Sequence, residues 1–359
     1  MSPLHVGCCI SAHGFGHAAR TMAVMEALSR LIDIELTIVT LVPEWFLRSS
    51  YFGPFTLYPL QTDVGLVQQG PLEQDIPATL RALSSFYPVS PQVISSLTAV
   101  FSPCNMVVCD ISPAGILGAS AAGVPSVLLE NFTWDWIYEG YRTFFPELGE
   151  CIEYLKKVNC LADYRIQAAP ACELSAANLT VSPIARAFRE SREKIRQRLK
   201  VSNNERIVLV SMGGIGVGQL PLYRMQAIHN TVFVLSGYTG KMVKEPHLRF
   251  LPPDTDFFHP DLVAASDAVV GKVGYSTLAE VYHADVPFGY VSRKGFRESD
   301  PLVSFIKEKM SGLEIESQDF WRGDWVNNLP QLFHLGNKDV QQQNGAIQCA
   351  EFLLSLYEQ

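Results

Sequence analysis

His5-Val6-Gly7-Cys8-Cys9-Ile10-Ser11 runs straight into Ala12-His13-Gly14-Phe15-Gly16-His17-Ala18-Ala19-Arg20. The first seven residues form an apolar run of strand length. From Ala18 to Leu31 a helical pattern follows, with Met22, Val24, Met25, Leu28 and Leu31 on its apolar face. A strand, a glycine-rich turn and a helix make the repeating unit of a parallel sheet, and the rhythm recurs. Ile34 to Leu41 and Asn105 to Asp110 read as strands, Ile116 to Ala122 as a small-residue helix, and Val124 to Leu129 as a strand. Continuous apolar strands separated by helices indicate a sheet covered on both faces.

The rhythm breaks at Arg186 to Lys200, a charged helical pattern ended by Ser202-Asn203-Asn204, and then starts again. Strands are expected at Arg206 to Met212, Thr231 to Ser236, Ala268 to Val270 and Phe288 to Val291, with a closing amphipathic helix at Ile347 to Tyr357. In 359 residues a single core is too large, so two domains are expected, meeting near Ser182-Pro183. Residues 1–182 form the first and 183–344 the second, with residues 345–359 packing back on the first.

Composition narrows the function. Hydrophobic residues are 48% and charged residues 18%, the balance of a globular chain. The net charge of -8 argues against a nucleic-acid surface. The start has no basic segment before its short apolar run, and Ala114 to Leu129 is interrupted by Gly123 and Pro125. Neither a signal peptide nor a membrane span is therefore expected, and the protein reads as cytoplasmic. The eight cysteines show no C-x-x-C pair, which fits buried reduced thiols.

Ligands of open parallel sheets bind outside the carboxyl ends of the strands. Four loops at such ends are unusual. The first carries His13, Gly14, Gly16 and His17, and offers a base that titrates near neutrality. It lacks both the G-x-G-x-x-G and the Walker spacing. Asp110-Ile111-Ser112-Pro113 places an acid at a strand end, either to cap the next helix or to orient a histidine from the neighbouring strand. Asn131-Phe132-Thr133-Trp134-Asp135-Trp136-Ile137-Tyr138 is either a sugar-stacking wall, with Asn131, Thr133 and Asp135 for hydroxyls, or a packed core corner. Gly271-Lys272-Val273-Gly274-Tyr275-Ser276-Thr277-Leu278-Ala279-Glu280 opens a helix whose positive end suits an anion. Thr277 to Glu280 also reads as a capping box. Ser211-Met212-Gly213-Gly214-Ile215-Gly216 is a matching glycine loop, and the two together could cradle a diphosphate.

In this order, the His13–Arg20 loop, the Asn131–Tyr138 segment and the Gly271–Glu280 loop resemble the glycosyltransferase-like N-terminal region of plant L-arabinokinase and its free-standing bacterial relatives. Phe296-Arg297-Glu298-Ser299-Asp300-Pro301 also looks like that family. More distantly, the organisation is similar to UDP-glycosyltransferases and to the peptidoglycan N-acetylglucosaminyltransferase. The resemblance implies a GT-B fold, two Rossmann-like doubly wound parallel-sheet domains facing a cleft. It implies transfer from a UDP-sugar, with no further cofactor and no metal. In those relatives a histidine after the first strand serves as base, which His17 matches, and a glutamate holds the ribose, which Glu280 matches. The paired His and Gln of the plant donor signature are absent, and Lys272 stands where a glycine is usual.

The expected site is thus His17 as base, His13 in reserve, and Asp110 orienting. Gly16, Ser211, Gly213, Gly214, Lys272, Gly274, Tyr275, Ser276, Thr277, Glu280 and Glu298 lie around the donor. Asn131, Trp134 and Asp135 lie around the sugar or acceptor. No D-x-D signature stands in a donor loop, and direct displacement would invert the anomeric carbon. A nucleotide-sugar epimerase and a non-catalytic nucleotide-sugar binder are the alternatives.

Overall fold

The computed structural model describes residues 3–68, 70, 73–213, 220–239, 245–336, 338 and 342–358. The expected strand at the start is β1, Leu4–Ile10, whose apolar residues are buried because it lies in the middle of its sheet. It is flanked by β2 (Ile34–Val39) and, beyond that, β3 (Thr56–Tyr58) on one side. On the other side lie β4 (Met106–Asp110), β5 (Ser126–Glu130), β6 (Tyr164–Ala168) and β7 (Leu179–Val181). All pairs in this seven-stranded sheet are parallel.

A second, six-stranded parallel sheet follows. Its strands are β8 (Arg206–Ser211), β9 (Thr231–Ser236), β10 (Leu248–Leu251), β11 (Ala268–Lys272), β12 (Phe288–Val291) and β13 (Gly312–Glu314), in the spatial order β10-β9-β8-β11-β12-β13. In each sheet the order reverses beside the first strand of its half, between β1 and β4 and between β8 and β11. Such a reversal opens a crevice at the carboxyl ends of the strands.

Two readings of the helices change. The charged pattern from Arg186 to Lys200 is helical only over Arg192–Arg198, capped by Ser191. Arg186 and Arg189 lie outside the helix, where their side chains reach Ser49 and Ser50 and the backbone N–H of Arg189 donates to Asp261. The last helix, Gly345–Tyr357, packs on the helix Gly16–Leu28 of the first half. The chain thus crosses between the halves twice, near Ser182 and near Asn344. The crossings are laced together: Gly345 N donates to Pro183 O, Asn344 Nδ2 to Ala185 O, and Ala185 N to Asn344 Oδ1. No helix of the described residues is long and apolar enough to cross a membrane. The cysteines are free, but Cys160 is exposed and Cys151 and Cys172 are half-buried, so the expectation of uniform burial fails for these three.

Candidate active site

The loop after β1 turns into the helix Gly16–Leu28, which brings His17, Arg20 and Thr21 over the end of β4. There Asp110 is fully buried. His17 Nδ1 lies 2.9 Å from its Oδ1, Arg20 Nε donates to Oδ2 at 2.9 Å, and Thr21 Oγ1 donates to Oδ2 at 2.8 Å. Burial opposes ionisation of Asp110, but Arg20 and His17 outweigh it and hold the carboxyl below its ordinary value. An ionised carboxylate only accepts, so Nδ1 of His17 donates to Asp110, and in the neutral ring Nε2 then carries the lone pair. Among the described residues Nε2 has no hydrogen-bond partner, and the ring borders a cavity of about 180 Å³. Asp110 does not cap the next helix. Ser112 does, its Oγ accepting from Gly115 N at 3.2 Å.

His13 borders the same cavity with its ring edge-on to Trp134 at 5.0 Å. Burial, then the nearby charges of His17, Arg293 and Lys272, push its pKa down to about 3. It is a poor proton acceptor, which weakens its standing as reserve base.

The opposite wall comes from the second half. Gly274 precedes the helix Tyr275–Ala284, and Lys272, Gly274, Tyr275, Ser276 and Thr277 border the cavity. Gly213 also borders it with φ +65, a conformation that favours glycine. Gly214 lies outside the described residues. Burial, then Arg293, pushes Lys272 down to about 7. The Tyr275 hydroxyl donates to Ala169 O and accepts from Ile184 N, both at 3.1 Å, while Arg20 stacks on its ring at 4.9 Å.

A second cavity, of about 140 Å³, adjoins the first. Gly16, Gly213, Ser276 and Thr277 border both. Ser211 and Glu280 border only the second, beside Phe257, Phe258 and His259. The capping box fails: Thr277 and Glu280 both lie inside the helix, which has no side-chain cap. Glu280 instead takes Arg186 Nη2 at 2.8 Å on Oε1 and lies 2.7 Å from His259 Nδ1 through Oε2. Burial opposes its ionisation, but Arg186 and His259 lower its pKa on balance. His259 Nε2 is in turn 3.0 Å from Ser211 Oγ.

The aromatic segment is a core corner, not a wall. Trp134 is 1% exposed, stacks on Tyr138 at 5.9 Å and donates Nε1 to Asp63 Oδ2 at 2.6 Å. Asn131, fully buried, is consumed by Arg20 at Oδ1 and Glu298 at Nδ2. Asp135 takes Asn159 Nδ2 at 2.8 Å. None of the three, expected around the sugar or acceptor, borders either cavity. From that segment only Phe132 reaches the first cavity. Glu298 does border it, together with Phe296 from the same quoted segment and Arg293, which the sequence reading passed over. His259, Arg186 and Arg20 were likewise not singled out as site residues, although Arg20 stood in a quoted motif.

Among solved structures the whole chain aligns with UGT89C1 of Arabidopsis thaliana complexed with UDP-L-rhamnose, at TM-score 0.62 and 12% identity over 99% of this chain and 100% of that one. The fold is GT-B. The glycosyltransferase VinC in complex with dTDP aligns at TM-score 0.60 and 15% identity over 99% and 95% of the two chains. MurG of Acinetobacter baumannii aligns at 0.51 and 12% over 99% of each. In sequence, L-arabinokinase of Arabidopsis thaliana is 26% identical over 342 residues, 91% of this chain. The chain spans 32% of that relative's length. No family model matches. The two facing sheets are the paired domains of the GT-B fold, and the two cavities lie in its cleft.

Proposed function

We propose that the protein transfers a sugar from a UDP-sugar to an acceptor hydroxyl. The observation that carries this reading is His17, held by Asp110 through Nδ1, bordering one cavity with the start of the helix Tyr275–Ala284. His17 Nε2 takes the acceptor proton, and the acceptor oxygen bonds to the anomeric carbon. The bond from that carbon to the diphosphate oxygen breaks, and UDP leaves with the electron pair. Attack opposite the leaving group inverts the carbon. The N–H groups of Gly213, Ser276 and Thr277 with Lys272 stabilise the departing charge, at the positive end of a helix.

In this reading residues 1–182, with the last helix, form the acceptor half, and residues 183–344 the donor half. The second cavity takes the nucleoside, with Glu280 facing the ribose and Phe257 or Phe258 near the base. That solved proteins of the same fold carry UDP-L-rhamnose and dTDP supports a nucleoside-diphosphate donor. Lys272 and the helix start supply the positive charge, so the reading calls for no metal and no cofactor besides the donor.

Thermal-shift measurements with UDP, UDP-sugars, ATP and NAD test it. Stabilisation by UDP or a UDP-sugar is expected, with none by NAD or ATP. A shift with NAD and none with any uridine nucleotide would end the reading. Interconversion of UDP-sugars without an acceptor would instead favour an epimerase.

A further inference from the structure

Most buried arginines at the cleft are closed off by carboxylates. Arg20 is matched by Asp110, and Arg186 by both a bidentate contact to Glu280 and the Ser50 hydroxyl. Arg293 is different. It is 6% exposed, and its guanidinium lies flat on Phe296 at 3.5 Å. Among the described residues its one ion pair is a long contact, Nη2 to Glu298 Oε2 at 3.4 Å, and the other oxygen of Glu298 takes the Asn131 amide at 3.1 Å. Arg293 Nε is buried with no partner among the described residues. A buried donor left open is costly and calls for a partner.

The position of Arg293 says what that partner is. Arg293 borders the His17 cavity and not the nucleoside cavity. The residues common to both, Phe15, Gly16, Gly213, Ser276 and Thr277, mark the junction where the diphosphate lies in the UDP-sugar reading. Lys272 stands near that junction, since a Cβ on Gly213 would lie 3.9 Å from its Nζ. Arg293 therefore lies past the diphosphate, on the side of the transferred sugar. A planar guanidinium fork matches a carboxylate in shape and charge, whereas a neutral hydroxymethyl group would leave it uncompensated.

We propose that the transferred sugar is a hexuronic acid, its carboxylate bound by Arg293. This rests on the UDP-sugar reading above. Lys272, pushed down to about 7 by burial and by Arg293, agrees with a cavity whose positive charge awaits an anion.

Calorimetry with UDP, UDP-glucose, UDP-glucuronic acid, UDP-galactose and UDP-galacturonic acid tests the proposal on wild type and Arg293→Gln. At least one uronate is expected to bind about tenfold or more tightly than its neutral counterpart, the size of one charged hydrogen bond. Arg293→Gln is expected to bring that ratio near one while leaving UDP affinity within about threefold. If Arg293→Gln fails to fold, Arg293→Lys takes its place, with the ratio expected to shrink because the fork is lost. Equal affinities within both wild-type pairs, with UDP bound, would overturn the hexuronate and leave the donor reading standing. A uronate preference retained in the variant would overturn the role of Arg293. Equal weakening of UDP and all four sugars would place Arg293 on the diphosphate instead. Failure of UDP itself to bind would remove the donor reading, and this inference with it.

Discussion

Asp110 and Glu280 stand on opposite sides of the cleft as near counterparts. Each is a buried carboxylate that holds one histidine by Nδ1 and one arginine by its guanidinium. They differ at the far nitrogen of the histidine. His259 Nε2 is tied to Ser211, so that ring is fixed at both ends and acts as a strut. His17 Nε2 has no such partner among the described residues and borders the first cavity. The same three-residue device thus supports architecture on one side and an available lone pair on the other. The arginine is common to both: Arg20 compensates Asp110 as Arg186 compensates Glu280, which leaves less of the Asp110 charge to stabilise an imidazolium, so Asp110 acts on His17 mainly through position and tautomer.

The sharpest way to break the comparison is to remove each histidine. His17→Ala is expected to lower turnover by about 10²–10⁴ with UDP affinity nearly unchanged, the ordinary loss for a general base. His259→Ala is expected to do the reverse, weakening UDP binding while turnover at saturating donor changes far less. Steady-state kinetics beside calorimetry separate the two, and loss of turnover in His259→Ala at full saturation would erase the distinction.

Removing each carboxylate tests the shared part. Asp110→Asn and Glu280→Gln each strand a buried arginine, and each is expected to cost on the order of 3–5 kcal/mol in the unliganded protein. Denaturant unfolding measures it. Unchanged stability in either variant would mean that its arginine finds another partner.

Acidity sharpens the same point. Both carboxyls are lowered on balance in the folded protein. Their stabilisation is therefore fully present above the ordinary carboxylate range of about 4 and is lost as pH falls through the lower folded values. The gap in stability between wild type and either variant is expected to close on acidification below about pH 4, read by unfolding at a series of pH values. Lys272 runs the other way. Its folded pKa of about 7 lies below the ordinary 10.5, so the unfolded chain binds the extra proton. Between those values the unliganded protein is expected to gain stability with rising pH, relative to Lys272→Met.

The smallest effect is expected at Trp134, which supports the His17 side from behind. Trp134→Phe keeps most of the ring but leaves Asp63 without its indole donor, a loss of about 1–3 kcal/mol. Stability should fall by that much while donor and acceptor KM stay put. A raised acceptor KM would return Trp134 to the cavity wall.

The fold was readable because the central strands are long and continuously apolar, as in Val6 to Ile10 and Val208 to Val210. Strands β3, β6, β7, β10 and β13 were not: β3, β7 and β13 have only three residues at a sheet edge, and Arg165, Gln167 and Arg249 break the apolar pattern of β6 and β10. His17 and Asp110 could be paired from sequence because His17 follows and Asp110 closes a recognisable strand, and those strands lie side by side. The aromatic segment was ambiguous for a physical reason. Ring composition does not say which way a ring faces, and Trp134 faces inward because Asp63, 71 residues earlier, accepts its N–H. Arg293 and His259 gave no signal, since what sets them apart is which partner they have or lack across the fold.

The laced double crossing between the halves has a mechanical consequence. Two strands of chain joined by Gly345 N to Pro183 O and by Asn344 to Ala185 behave as a single hinge pin, not as two loose tethers. Sliding one half past the other would tear those bonds, whereas rotation about the pin leaves them whole. Swinging the wall of Arg293 and Lys272 away from His17 would in addition break the bonds from Asn131 to Glu298, from Tyr141 to Gly295 O and from Arg297 to Trp136 O. Gly345 sits where the pin is tightest, since a Cβ there would lie 2.0 Å from Ser182 O. Tyr275, whose hydroxyl bonds Ile184 N beside the pin, ties the start of its helix to that axis.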